Sequence, residues 1–191
     1  MKLVFATQNK HKVAEVQAMV NAGVQIIPLS DLGFQLELPE THFTLEENAA
    51  EKAEFIFSQL EMNCFAEDTG LEIEALNNEP GVFSARYAGE AKNAADNIQL
   101  VLEKMRGIEN RKARFRTVIC LILDGKKNFF EGIINGTIAS KEHGKSGFGY
   151  DPIFIPEGHD QTFAELEINV KNRISHRRFA FEKMSKWLKN V

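Results

Sequence analysis

Three observations predict an α/β fold for this 191-residue chain. The chain opens as strand, loop, helix and strand. A long amphipathic helix follows, with its own start signal. The second half then holds two β-rich runs joined by Asp124-Gly125, the pattern of an antiparallel hairpin.

Taken in order, Lys2 to Thr7 is a buried strand, and Val13, Val16 and Val20 repeat at helical spacing as far as Gly23. Val24 to Leu29 is a second short strand. From Thr44 a longer helix carries Leu45, Ala49, Ala53, Ile56 and Leu60 on one stripe, and Thr44 with Glu47 has the spacing of a capping box. Cys64 to Asp68 is a strand ending in a carboxylate, Thr69-Gly70 a turn, and Leu71 to Ala75 a further extended piece. Ala91 to Met105 is helical, with Ile98, Val101, Leu102 and Met105 inward, and Arg106-Gly107 closes it. Arg114–Leu123 and Phe129–Ile138 make the hairpin, material for a second lobe. Gly144 to Pro152 is a glycine-rich loop, and Ser175 to Leu188 a terminal helix.

Composition narrows the function. At 43% hydrophobic and 26% charged the chain suits one compact domain or two small lobes sharing a core. Cys64 and Cys120 have no metal or redox spacing, so a reducing compartment is expected. The apolar start is too short for a secretion signal, and no run reaches the roughly 18 apolar residues of a membrane span, so a cytoplasmic location is expected. A net charge of -4 argues against coating nucleic acid. Acidic residues crowd Glu37 to Glu54, and basic ones gather from Lys171 to Lys189. Either run alone reads as a solvated face; brought together they would suit a metal bound to a polyphosphate.

Four clusters carry possible chemistry. Asn9 is a good helix cap, yet Lys10, His11 and Lys12 fill the first turn, where the helix dipole disfavours cations; a bound phosphate would relieve this, and so would exposure to water. The segment is no Walker loop, since Thr7-Gln8-Asn9-Lys10-His11-Lys12 lacks the glycines. Glu40, Glu47 and Asp68 are hard oxygen donors of the kind Mg²⁺ takes beside water and phosphate, although Glu47 also suits the cap. Asn48 and Lys52, four apart, share one helix face, and Lys52 suits either a carboxylate or a phosphate. Ser146 to Pro152 combines glycines with Phe148, Tyr150 and Asp151, so its rings either stack on a base or fill the core. Last, Lys171 precedes Ser175-His176-Arg177 at a helix start; no Gly-x-Ser-x-Gly elbow surrounds Ser175 or Ser146, which argues against a serine hydrolase.

In sequence these segments resemble the family of inosine/xanthosine triphosphate pyrophosphatases. The resemblance runs nearly end to end: Thr7-Gln8-Asn9 with Lys12 and Glu15, Glu47-Asn48-Ala49 with Lys52-Ala53, Glu67-Asp68-Thr69-Gly70-Leu71, Pro80-Gly81 with Ser84-Ala85-Arg86-Tyr87, Phe148 to Pro152, and Ser175-His176-Arg177. It implies an elongated mixed-sheet α/β fold of two lobes around a central cleft, residues 1–191 forming one such domain, usually as a homodimer. It implies Asp68 as general base and metal ligand, Lys52 as its catalytic companion, and Glu40 as a second acidic ligand for Mg²⁺, with Mn²⁺ as a substitute. Glu47 is expected to complete the cap with Thr44 or stand behind these ligands, with direct ligation the alternative. Asn9 and Lys12 would hold the substrate's phosphates, Thr7, Gln8, Lys10, His11 and Thr69 would lie beside the substrate, and Phe148, Gly149, Tyr150, Asp151, Lys171, His176 and Arg177 would cradle and read the base. Gln8 stands where the family usually has glycine, and Glu67-Asp68-Thr69 replaces the commoner Asp-Asp-Ser. The implied reaction is hydrolysis of ITP, dITP or XTP to the monophosphate and pyrophosphate. Its competitors are a Maf-like pyrophosphatase of other nucleotides and a nucleotide-binding module without turnover.

Overall fold

The computed structural model describes residues 1–19, 24–34 and 36–190. Strand β1 (Lys2–Phe5) leads into helix α1 (Lys10–Met19) and strand β2 (Gln25–Pro28); helix α2 (Leu45–Leu60) precedes strands β3 (Cys64–Ile73) and β4 (Glu79–Gly81). Helix α3 (Ala94–Lys104), strands β5 (Lys112–Leu123), β6 (Lys126–Ile138) and β7 (Phe154–Pro156), and helices α4 (Ile168–Ile174) and α5 (His176–Leu188) complete the described elements. The strands run β2-β1-β3-β5-β6-β7, with β4 on β3. Since β1 pairs in parallel with β2 and β3, whereas β3–β4 and β6–β7 are antiparallel, the sheet is mixed as expected.

Two compact units divide the chain. The first is Met1–Asp68, Thr117–Gly132 and Arg177–Val191; the second is Thr69–Arg116 and Ile133–His176. The hairpin therefore does not make a second lobe by itself: its tip belongs to the first unit and its base to the second. In the first unit the strands alternate cleanly. Leu3, Phe5, Phe65, Ile119 and Leu121 face α1 and α5, burying against Val16, Met19, Phe181 and Met184. Their neighbours Val4, Ala6, Cys64, Ala66, Cys120 and Ile122 face α2, against Ala49, Ala53 and Ile56. The Phe5 and Phe65 rings stack 4.4 Å apart. Each such buried ring contributes about 2–3 kcal/mol. The core of the second unit joins Leu71, Ile73, Ile98, Val101, Met105, Phe115, Phe154 and Phe163.

Local chemistry explains the helix starts. Thr44 Oγ1 accepts from the Glu47 amide at 3.2 Å and donates to Glu47 Oε2 at 2.8 Å. Helix α3 starts three residues later than expected, because Asn93 is its cap, accepting from the Ala95 and Asp96 amides. The hairpin turn takes Asp124 and Gly125 at φ 49 and 76, the left-handed pair of a tight turn.

Two expectations fail. Thr69-Gly70 is no turn, since β3 runs unbroken from Cys64 to Ile73. Gly70 serves close approach instead: a Cβ there would lie 2.5 Å from the Gly81 carbonyl oxygen of β4. The short α4, Ile168–Ile174, lies where no helix was expected. Val20 to Gly23, read as the end of the first helix, lies outside the described residues. No described helix is long and apolar enough to cross a membrane.

Candidate active site

Strand β3 ends its passage through the first unit with two consecutive carboxylates, Glu67 and Asp68. Because successive strand residues point to opposite faces, each serves a different helix layer.

On the α2 face, the Lys52 ammonium donates to Asp68 Oδ1 at 2.8 Å and to Glu40 Oε1 at 2.7 Å. Asn48, one turn earlier, donates to Asp68 Oδ2 at 3.4 Å. Asn48 and Lys52 lie in the buried stripe Leu45, Asn48, Ala49, Lys52, Ala53, Ile56, so two polar residues occupy positions that an ordinary core helix would fill with apolar ones. The loop carrying Glu40 is fastened to the same helix. The Thr41 amide and hydroxyl donate to Glu51, and the His42 amide donates to Asn48 Oδ1. Burial, the largest single influence, pulls the Lys52 pKa down, but Asp68 and Glu40 together outweigh it and hold it above the usual lysine range. Asp68 is pushed above the usual carboxylate range by burial, with Glu40 adding to the rise and Lys52 and Lys12 opposing it. One ammonium serves two carboxylates, and the shortfall falls on the more buried of them.

On the other face, Arg177 is one of the largest fully buried side chains. Its Nε donates to both Glu67 oxygens at 3.0 and 2.8 Å, its Nη2 to Glu67 at 2.8 Å, and its Nη1 to Glu15 of α1. Lys12 completes this group, its ammonium 3.0 Å from Glu67. Burial would raise the Glu67 carboxyl, but Arg177 and Lys12 outweigh it and hold it well below the ordinary range. The Arg177 guanidinium, penalised by burial, is raised by Glu67 and Glu15. Asn9 caps α1 by accepting from the His11 and Lys12 amides at 2.9 and 3.3 Å, Thr7 Oγ1 accepts from the Asn9 amide, and Gln8 donates to the Leu36 carbonyl. Those first-turn amides are thus engaged by a side chain. Lys10 and His11 are exposed.

In the second unit, Asp151 Oδ2 accepts from the Phe148 amide at 2.8 Å and from the Lys171 ammonium at 2.6 Å. That ammonium lies 4.9 Å from the Phe148 ring centre and 5.7 Å from that of Phe163. Gly147, at φ 82, leaves Asp151 the space a Cβ would take. His176 is buried and stacked on Phe115, ring centres 4.7 Å apart. Thr69 begins this unit and is half-buried.

The structure therefore gathers the expected residues into three groups: Glu40, Lys52 and Asp68; Lys12 and Arg177; and Phe148, Asp151 and Lys171. It separates others. Glu47 is the exposed cap partner that its spacing from Thr44 suggested, apart from Glu40 and Asp68. Tyr150 is 4% exposed, packs in the second unit's core and donates its hydroxyl to the Ser84 carbonyl, so its ring is a core element. Arg177, expected beside the base, has its guanidinium on Glu67 and Glu15 instead. Glu15 and Glu67 had no role assigned from the sequence; a carboxylate next to Val16 on the buried side of α1 was the available sign. Cys64 and Cys120 are buried and their thiols pushed up to about 12, chiefly by burial, which leaves them no nucleophilic part.

The model of the Ham1 family matches residues 3–187. The chain belongs to the Ham1 family. It is 50% identical over 184 residues to a dITP/XTP pyrophosphatase of Flavobacterium johnsoniae, covering 96% of each chain. It is 51% identical over 188 residues to one of Porphyromonas gingivalis, covering 98% of this chain and 97% of that one. A HAM1 protein from Coxiella burnetii superposes with a TM-score of 0.91 at 39% identity over 100% of both chains. The Staphylococcus aureus Ham1 protein gives 0.89 at 38%, over 100% of this chain and 99% of that one.

Proposed function

We propose that this Ham1-family protein hydrolyses noncanonical purine nucleoside triphosphates, ITP, dITP and XTP, to the monophosphate and pyrophosphate. The observation that carries the reading is the convergence of Asp68, midway along the buried strand β3, and Glu40 on Lys52. Relatives alike over nearly the whole chain are named dITP/XTP pyrophosphatases, which supports the substrate class.

The two carboxylates suit Mg²⁺, which takes one or two carboxylate oxygens beside water and substrate phosphates, with Mn²⁺ as a substitute. Both offer an oxygen within 2.8 Å of a single point, the Lys52 ammonium, so their donors converge. A cation held there supplies positive charge to the triphosphate. Asp68 orients a water and takes its proton as the water oxygen bonds to the alpha phosphorus. The bond from that phosphorus to the bridging oxygen breaks, and pyrophosphate leaves with the electron pair. Lys52 and Lys12 offset charge on the phosphate oxygens. Asn9 and Thr7 hold the first turn that presents Lys12.

For the base we assign Phe148, Lys171, Asp151 and His176. A hydrogen-bond donor set against the 6-keto oxygen of hypoxanthine or xanthine would meet an amino group in adenine, leaving donor against donor. Arg177 is assigned to holding Glu67. The reading carries with it the cytoplasmic location and the homodimer expected from the sequence.

Purified protein given ITP, XTP, GTP and ATP with Mg²⁺, scored for pyrophosphate and orthophosphate, tests the reading. Pyrophosphate from ITP and XTP at efficiencies far above ATP is expected. Turnover of pyrimidine nucleotides instead would favour a Maf-like enzyme, and binding without turnover a nucleotide-binding module.

A further inference from the structure

We infer that in the nucleotide-free protein the Lys52 ammonium holds the place between Glu40 and Asp68 that the divalent cation takes in the working site, so that the cation enters with the triphosphate and not before it. The inference rests on the reading of Glu40 and Asp68 given above and adds an order of binding to it.

The geometry leads there in three steps. The ammonium contacts one oxygen of each carboxylate, at 2.7 and 2.8 Å, and these are the oxygens a cation would use. Second, Lys52 cannot leave easily. It is only 4% exposed, and its stem lies in the buried stripe of α2 between Asn48 and Ile56. A cation bound by the same oxygens would therefore sit a few Å from a fixed positive charge, a repulsion that weakens binding about ten-fold or more. Third, the two contacts differ. The Asp68 side chain is 11% exposed and that of Glu40 28%, so the Glu40 carboxylate is the one nearer solvent and an arriving nucleotide. The Lys52–Glu40 contact is the one that opens. A triphosphate supplies what opens it, because its oxygens give the ammonium new acceptors while their charge offsets the two cations. Lys52 then passes from carboxylate to phosphate without its stem moving far.

Mn²⁺ binding, followed by its electron paramagnetic resonance, tests this on the full chain. Wild type should bind Mn²⁺ weakly alone and at least about ten-fold more tightly with α,β-methylene-ITP, which resists cleavage at the reacting bond. Lys52→Met should bind Mn²⁺ alone about ten-fold or more tighter than wild type, and the gain should vanish in Lys52→Met with Asp68→Asn. Should Lys52→Met fold poorly, the ¹⁵Nζ signal of Lys52 in wild type serves instead: it should stay put on adding Mg²⁺ alone and shift on adding Mg²⁺ with the analogue. Tight stoichiometric Mn²⁺ binding to nucleotide-free wild type that Asp68→Asn removes would overturn the order of binding while leaving the metal site intact. A folded Lys52→Met with no gain would overturn it too. Absence of protein-bound Mn²⁺ even with the analogue would defeat the metal site itself, and the inference with it.

Discussion

Glu67 and Asp68 are adjacent in sequence and both buried, yet they sit in opposite electrostatic situations. Glu67 meets two cations, Arg177 and Lys12, and Glu15 takes the remaining reach of the guanidinium. Asp68 shares its ammonium with Glu40. The first arrangement is saturated with opposite charge and holds β3, α1 and α5 in register. The second is short of positive charge. A strand that places one carboxylate on each face separates a structural ionic core from a reactive one by a single peptide bond, and folding can secure the first without quenching the second.

Substitutions on the two faces should therefore fail differently. Asp68→Asn should lower pyrophosphate release by about 10²- to 10⁴-fold. Its thermal midpoint should change little, since Asn keeps the shape and Glu40 still faces the Lys52 ammonium. Arg177→Ala should act first on stability. It strands Glu67 and Glu15 in the interior, at roughly 3–5 kcal/mol, or about 10 °C of thermal midpoint in a chain of this size. An Arg177→Ala protein of wild-type midpoint that loses only its preference for ITP over ATP would return Arg177 to the base.

What the sequence disclosed follows the range of the forces involved. The Thr44–Glu47 cap and the Asn9 cap act over three residues, and both were legible. Asp68 stood out as a carboxylate closing an apolar run. Arg177 did not reveal its partners, because Glu67 is 110 positions away and Glu15 162. Ser-His-Arg at a helix start therefore read as a substrate motif throughout. Gly70 misled for a different reason: glycine marks both turns and close backbone approach, and only the presence of β4 decides between them. Tyr150 in a glycine-rich loop had two plausible destinations, and the Ser84 carbonyl that fixes its hydroxyl is 66 positions distant.

Acid sharpens the comparison with a smaller effect. A carboxyl whose folded pKa lies below its unfolded one contributes stability above the unfolded value and loses it as pH falls toward the folded one. Glu67 is such a group. Wild type should therefore lose stability progressively as pH drops below about 4.3, and Glu67→Gln, less stable near neutrality, should fall less steeply over that range when thermal midpoints are compared. The least effect is expected from Glu47→Ala, below about 1 kcal/mol with turnover unchanged. A large loss of turnover there would bring Glu47 back among the metal ligands.

The central claim is that the Asp68 face directs water to the alpha phosphorus. Hydrolysis of ITP in H₂¹⁸O, with mass analysis of both products, tests it directly. The expected result is one ¹⁸O in IMP and none in pyrophosphate. Label in the pyrophosphate, or IDP with labelled orthophosphate, would contradict the account.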